Sequence, residues 1–394
     1  MGKVRRNPRL FEVHPLITQF SRIISNEDHA KVEEVTHMLW TLVVLGAVTP
    51  CVTDVTITRP HPEGEASRGG LITDDQLTEA LVIYSVLICS FEITGLVFNT
   101  FNLIVFVQMG VSDPVNVCFF ALAVSDHCLL ATGLLAQIAY NDIGSMPRKL
   151  SVNSLHMTMI LLFYAHMFLD ISILISTFIS LQRCCCVAWP LKFKSVFTTK
   201  RSLLVIICIH LYALASYFPL FLKQTLHSAP DLLRNSTTWI MTFSKERSRL
   251  VSIIDILNQV SLCIITQVVV LICLGILTTS LRSASKFRKS ARSEQTESKT
   301  ISRKEDQVVK TVTLLSVVFV VTYTPAVMLA LIQIFVPEFD TYKRLNNLYF
   351  ILHNANDLFE NSSAVLNFLV YLSTSTRFRK TFWVLLHLDN KQEK

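Results

Sequence analysis

Apolar residues in this chain gather into long unbroken runs rather than into the narrow stripes of amphipathic elements. Seven runs stand out, near Leu81–Gln108, Val115–Tyr140, Leu155–Cys184, Leu203–Leu222, Val251–Leu281, Val308–Phe335 and Leu345–Leu372. Each meets or approaches the roughly 20 residues that a helix needs to cross the hydrocarbon core of a bilayer. A helix is also one of the few ways to satisfy backbone N–H and C=O groups in lipid. The pattern predicts an all-α membrane protein, a seven-transmembrane helix bundle. A shorter run, Met38–Val52, precedes the first span and is too short for a comfortable crossing. It reads as a buried or interfacial segment, an uncleaved targeting element, or a signal-like stretch beginning at Met38.

Composition and charge sharpen this picture. Only 16% of the 394 residues are charged and 51% are hydrophobic, whereas a soluble domain carries about a quarter charged residues. The formal net charge is +7, but Lys and Arg fall between the apolar runs rather than on one continuous basic face, which argues against a nucleic-acid partner. With the amino terminus outside, the inner segments hold seventeen Lys and Arg residues and the outer loops nine. That bias predicts an extracellular amino terminus and a multi-pass protein of the plasma membrane. The expected divisions are an extracellular or partly disordered amino tail over 1–78, containing the apolar run at 38–52, a transmembrane domain over 79–373, a third intracellular loop over 282–307 and a cytoplasmic tail over 374–394. Asn235-Ser236-Thr237 is a glycosylation sequon in an outer loop. The cysteines show no CxxC pair and no Cys/His spacing of a zinc site.

Polar residues at membrane depth are costly, so each is a candidate for function. Asp126, Ser172 and Ser363 all fall about eleven residues, or about 16 Å, from the inner surface. One carboxylate among hydroxyl oxygens can hold a small hard cation or a buried water cluster, or serve a structural network. Glu92, His166, Asp170, His210, His353, Asp357 and Glu360 also lie within spans. Asp357 and Glu360, three apart, share a helix face and would draw a cation into a cavity, unless His353, four residues before Asp357, is their partner. No GxSxG, HExxH or phosphate loop is present, so no enzyme is expected.

At the inner end of the third span, Gln182-Arg183-Cys184-Cys185-Cys186-Val187-Ala188-Trp189-Pro190-Leu191 resembles the rhodopsin-like (class A) G-protein-coupled receptor family, matching it at Arg183, Val187, Pro190 and Leu191. Gly95-Leu96-Val97-Phe98-Asn99, Leu122-Ala123-Val124-Ser125-Asp126, Thr322-Tyr323-Thr324-Pro325 and Asn367-Phe368-Leu369-Val370-Tyr371 join it in order and spacing, over roughly residues 80 to 386. The pattern looks most like divergent invertebrate peptide or chemosensory receptors, especially molluscan ones. Departures are Gln182 for an acid, Phe368 for proline, Tyr323 for tryptophan and Thr158 for the cysteine of the outer-loop disulfide.

The resemblance implies a receptor that binds an extracellular peptide or chemosensory small molecule and activates a heterotrimeric G protein. A short amphipathic eighth helix should begin near Phe378. Coupling and activation would involve Gln182, Arg183, Val187, Pro190, Leu191, Tyr323, Pro325 and Tyr371. Ligand contacts would come from Ala165, His166, Leu169, Asp357 and Glu360, and a sodium pocket from Asp126, Ser172, Ser363 and Asn367, with no other cofactor. Ala165 stands where amine receptors carry an aspartate, and Asn361 where opsins carry a lysine. With Gln182 in the acid's place, only a neutral hydrogen bond would hold Arg183, so Gln182→Glu should suppress ligand-free activity. A non-coupling seven-helix protein and a ligand-gated channel or transporter are the competing readings; a transporter ought to show an inverted repeat or broken helices, and neither is visible.

Overall fold

The computed structural model describes residues 71–141, 154–189, 197–231, 236–243, 245–290, 298–341 and 343–386. The apolar run 38–52, Pro190, Leu191 and Asn235 lie outside the described residues. Among the described residues eight helical elements follow one another: α1 (Asp74–Met109), α2 (Pro114–Asn141), α3 (Ser154–Ala188), α4 (Thr199–Leu222), α5 (residues 245–290), α6 (Ser298–Phe335), α7 (Asn346–Thr374) and α8 (Thr376–Leu385). The seven apolar runs thus become α1 to α7, and the amphipathic eighth helix forms as expected. Between α4 and α5 lies an antiparallel hairpin of β1 (Gln224–Asp231) and β2 (Ser236–Phe243), paired from Gln224 with Phe243 to Asp231 with Ser236. The end of the bundle bearing it is the hairpin face; the opposite end is the α8 face.

Local chemistry sets the helix limits. Thr73 caps α1, accepting from Gln76 N–H while Gln76 returns a bond to the Thr73 N–H, which is a capping box. It places the start of α1 within the stretch assigned to the amino tail. Gly110 ends α1 with φ of 82°, a left-handed turn that glycine adopts without a Cβ penalty. Ser375 caps α8 by accepting from Phe378 N–H. The helices α5 and α6 run on to Ser290 and start at Ser298, so most of the stretch assigned to the third intracellular loop is helical. Within α5, residues Asp255–Leu262 form a π-helix between α-helical Lys245–Ile254 and Cys263–Ser290.

Packing closes a ring in which α1, α2, α3, α5, α6 and α7 follow in order and α7 returns to α1, with α4 outside against α2 and α3. Apolar side chains such as Val97, Ile104, Leu135, Leu204, Leu211, Val268, Ile272 and Val321 are exposed, whereas Glu92, Asn99, Asp126, Asp170 and Glu360 are buried. This inside-out distribution belongs to a bundle solvated by lipid. Among the described residues six helices, α1 to α6, are long and apolar enough to cross a membrane. The seventh, α7, has 29 residues and hence the length, but its polar residues set it apart. The larger hydrophobic cluster reaches the α8 face, where Phe368 meets Phe98 at 4.6 Å and Phe382 at 5.4 Å between ring centroids.

Candidate functional site

Asp126 on α2 is buried between α3 and α7. Ser172 on α3 donates to Asp126 Oδ1 at 2.5 Å, and Asn367 on α7 donates to Oδ2 at 2.9 Å. Both partners donate, which suits an ionised carboxylate. Ser363 sits one turn from Asn367 on α7 and lines, with it, a cavity of about 10 Å³ together with Ser176, Ser180, Leu122 and Phe319. Ser363 pairs with Tyr323 on α6 rather than with Asp126, so three of the four expected residues converge and the fourth lies next to them. A cavity of that size holds one water-sized occupant, and a carboxylate with neutral oxygens fits a weakly held monovalent cation. Sequence reasoning passed over the continuation of this network: Asn99 donates to Ala364 O at 3.2 Å and accepts from Asn102 at 3.1 Å, tying α1 to α7.

At the α8 face, Arg183 is buried, with Cys186, Asp113 and Cys118 as its electrostatic neighbours. Gln182 departs from the expectation. Its amide donates to Ser202 Oγ on α4 at 3.3 Å, and Cys118 on α2 donates to its Oε1 at 3.9 Å. The side chain therefore fills a slot between α2, α3 and α4 and is not a tether on Arg183. The physical reason is helical geometry, since adjacent residues on a helix do not face each other. Two hydroxyl contacts tie α6 to α3 and α7: Ser180 with Ser316 on α6 at 2.9 Å, and Thr311 on α6 with Thr374 on α7 at 2.8 Å. Val187 packs against the core beside them.

The family's motif positions on α6 and α7 are occupied by aromatic packing. Tyr323 is buried and meets Phe319 at 4.6 Å. Pro325 lies within α6, where it removes one backbone bond, and neighbouring Thr324 accepts from Gln267 on α5 at 3.1 Å. Tyr371 sits among Phe106, Phe119 and Phe378 at 5.2, 5.0 and 5.6 Å, with its buried hydroxyl lacking a partner among the described residues. Phe368, in the proline position, is fully buried in the same aromatic group. Thr158, in the position of the family's cysteine, donates to Ala136 O on α2 at 3.5 Å. None of the nine cysteines among the described residues forms a disulfide.

Towards the hairpin face, the expected ligand residues divide. Ala165 and Leu169 are buried with Leu129, Ile173, Val270, Phe319 and Tyr323 in an apolar cluster, which makes them packing residues. His166 donates from Nδ1 to Leu162 O at 2.7 Å and lies within electrostatic reach of Asp357, Glu360 and Asp170. The pairing of His353 with Asp357 is not formed. His353 lies 4.2 Å from the Tyr349 ring and 3.4 Å from Gln333 Nε2, because stacking against Tyr349 and Phe339 turns the imidazole towards α6. Glu360 accepts from Asn356 at 2.8 Å. Two residues that sequence reading left without a role complete this half. Tyr217 on α4 donates to Asp170 Oδ2 at 2.8 Å, and Tyr212 donates to Asn258, in the π-helix, at 3.1 Å. An apolar-run reading does not single out either tyrosine, and the π-helix that carries Asn258 leaves no mark on hydropathy.

A search of curated proteins finds no match for the chain. The family described as 7 transmembrane receptor (rhodopsin family) matches residues 100–371, more than half of the sequence and the span from α1 through Tyr371. The chain therefore belongs to the rhodopsin family of seven-transmembrane receptors.

Proposed function

We propose that this receptor sits in the plasma membrane with its amino terminus outside, binds a peptide or small-molecule ligand at the hairpin face, and activates a heterotrimeric G protein at the α8 face. The observation that carries the reading is the succession of polar groups through an apolar bundle. It descends from His166, Asp357 and Glu360, through Asp126, Ser172 and Asn367, to Arg183 and the hydroxyl pairs that hold α6. Groups that are expensive in lipid but line one axis provide a bistable element that a ligand at one end can bias. Outward movement of α6 would break two neutral hydrogen bonds and uncover Arg183. Sodium at Asp126 would favour the closed arrangement.

The test is ligand-free and ligand-stimulated nucleotide exchange on a panel of G proteins, with Arg183→Ala as the negative control. Measurable basal exchange that the substitution removes supports coupling. A second reading has its own observation: Gln182 and Phe368 are both packed into fixed structural roles, as they would be in a seven-helix protein that does not couple. No exchange with any G protein of the panel would favour it.

A further inference from the structure

Glu92 on α1 is 2% exposed, and its Oε2 has no hydrogen-bond partner among the described residues. It sits against α2 at Gly133, where a Cβ would collide with the Glu92 carboxylate. Glycine at 133 thus leaves the room that the carboxylate fills. Across from it, Asp357 on α7 is its like-charged neighbour, and Glu360 is one turn further along. Asn356, 7% exposed, spends its amide N–H on Glu360 and leaves its own Oδ1 without a partner. Gly133 is seven residues along α2 from Asp126, and Glu360 seven residues before Asn367. This cluster is therefore separate from the Asp126 network, about 10 Å nearer the hairpin face.

We propose that Glu92, Asp357 and Glu360 form an anionic recess between α1, α2 and α7 that receives an ammonium or guanidinium group of the ligand. The inference rests on the receptor reading and names its ligand chemistry. Buried polar atoms are normally hydrogen-bonded, and here two acceptor oxygens on different helices, one of them not an acid, lack donors. An ammonium brings three N–H donors and a guanidinium five, enough to satisfy both oxygens while neutralising the excess of carboxylates. A metal ion fits less well, because among the described residues no three Asp, Glu, His or Cys side chains are arranged to hold one, whereas an organic cation needs only two of these acceptors within reach of its donors. His166 and Asp170 on α3 also face this region, and Tyr217 already occupies Asp170. Set against the several carboxylates, one histidine leaves the recess acceptor-rich.

The recess is tested with small probes on the purified full-length receptor, by thermal unfolding at constant ionic strength. Butylamine and butylguanidine are compared with neutral butylurea. Saturable stabilisation by at least one of the two cations but not by the urea is expected, and the cation acting at lower concentration identifies the group recognised. Glu92→Gln should raise the half-saturating concentration roughly tenfold or more, the loss of one charged hydrogen bond. Asp357→Asn should do the same, and serves alone should the first variant not fold. Glu79→Gln, an exposed acid of α1, should leave it unchanged. No saturable shift in the wild type, an equal effect of butylurea, or unchanged half-saturation in the recess variants would overturn the proposal. The readout needs no G protein, so a failure here is distinct from a failure of coupling.

Discussion

The two hydroxyl pairs that hold α6 allow the cost of opening to be worked from the structure. Ser316 is 1% exposed and bonded to Ser180, and Thr311 is 3% exposed and bonded to Thr374. Replacing them by Ser316→Ala and Thr311→Val deletes both contacts with little change of shape. No buried hydroxyl is orphaned in the process, because Ser180 also donates to Ser176 O at 3.0 Å and Thr374 to Val370 O at 2.6 Å. The loss is then the net worth of each hydrogen bond, about 0.5–1.5 kcal/mol. The two positions are five residues apart on α6, about 7.5 Å along the axis, so the effects should add to about 1–3 kcal/mol. Such a bias shifts the ratio of open to closed receptor roughly 5- to 150-fold. Basal nucleotide exchange at equal surface expression should rise by that factor until it saturates, with each single variant intermediate. A spin-label pair on α3 and α6 should report the same shift as a longer distance, without a G protein. If the double variant shows wild-type exchange and the wild-type distance, the hydroxyl pairs are not the latch.

Three further outcomes follow from the same geometry. Because Gln182 is turned towards Ser202 rather than Arg183, Gln182→Glu should leave ligand-free exchange unchanged at equal expression; suppression would show that an acid at 182 reaches the arginine after all. Replacing an inert large cation by sodium at fixed ionic strength should stabilise the wild type by about 1.4 kcal/mol at tenfold the dissociation constant, read as a higher melting temperature, whereas Asp126→Asn should respond to neither; an equal shift in both would remove the ion from the Asp126 network. Tyr371→Phe should raise thermal stability by about 1–3 kcal/mol by removing a buried hydroxyl without a partner, and a lower melting temperature would mean that the hydroxyl is satisfied in the closed receptor.

The fold was legible because lipid enforces it: a backbone that must satisfy itself over 20 or more apolar residues has one common solution, and α1 to α7 appear where the apolar runs lie. The Asp126 network was legible for a related reason, since depth along a helix follows from counting residues. What escaped the sequence depends on directions rather than positions. The start of α1 at Asp74 was signalled by Thr73 and Gln76, yet lies outside the apolar run. The orientation of Gln182 towards α4, and of His353 towards Tyr349 and not Asp357, turns on which neighbour offers the better fit. Spacing of three or four residues allows a contact; it does not select it. The π-helix at Asp255–Leu262 leaves no mark on hydropathy, although it carries the Asn258 that faces Tyr212.

The polarity of α7 has a consequence for how the protein is made. A helix enters the bilayer from the translocon according to the summed transfer cost of its residues, and an acid near the helix centre adds about 2.5–3.5 kcal/mol. Asp357 and Glu360 both sit in the central part of α7, with Asn356, Asn361 and Asn367 beside them. This segment is poorly suited to partition into lipid by itself, whereas α1 to α6 can. Its carboxylates and amides find their partners on helices synthesised earlier: Asn367 on Asp126 of α2, Ala364 on Asn99 of α1, Glu360 near His166 of α3. Biogenesis of this receptor is thus ordered, with the first six helices acting as the template on which the last one is inserted, and damage to a buried polar partner on α1 or α2 will surface as a trafficking defect before it can surface as a signalling one.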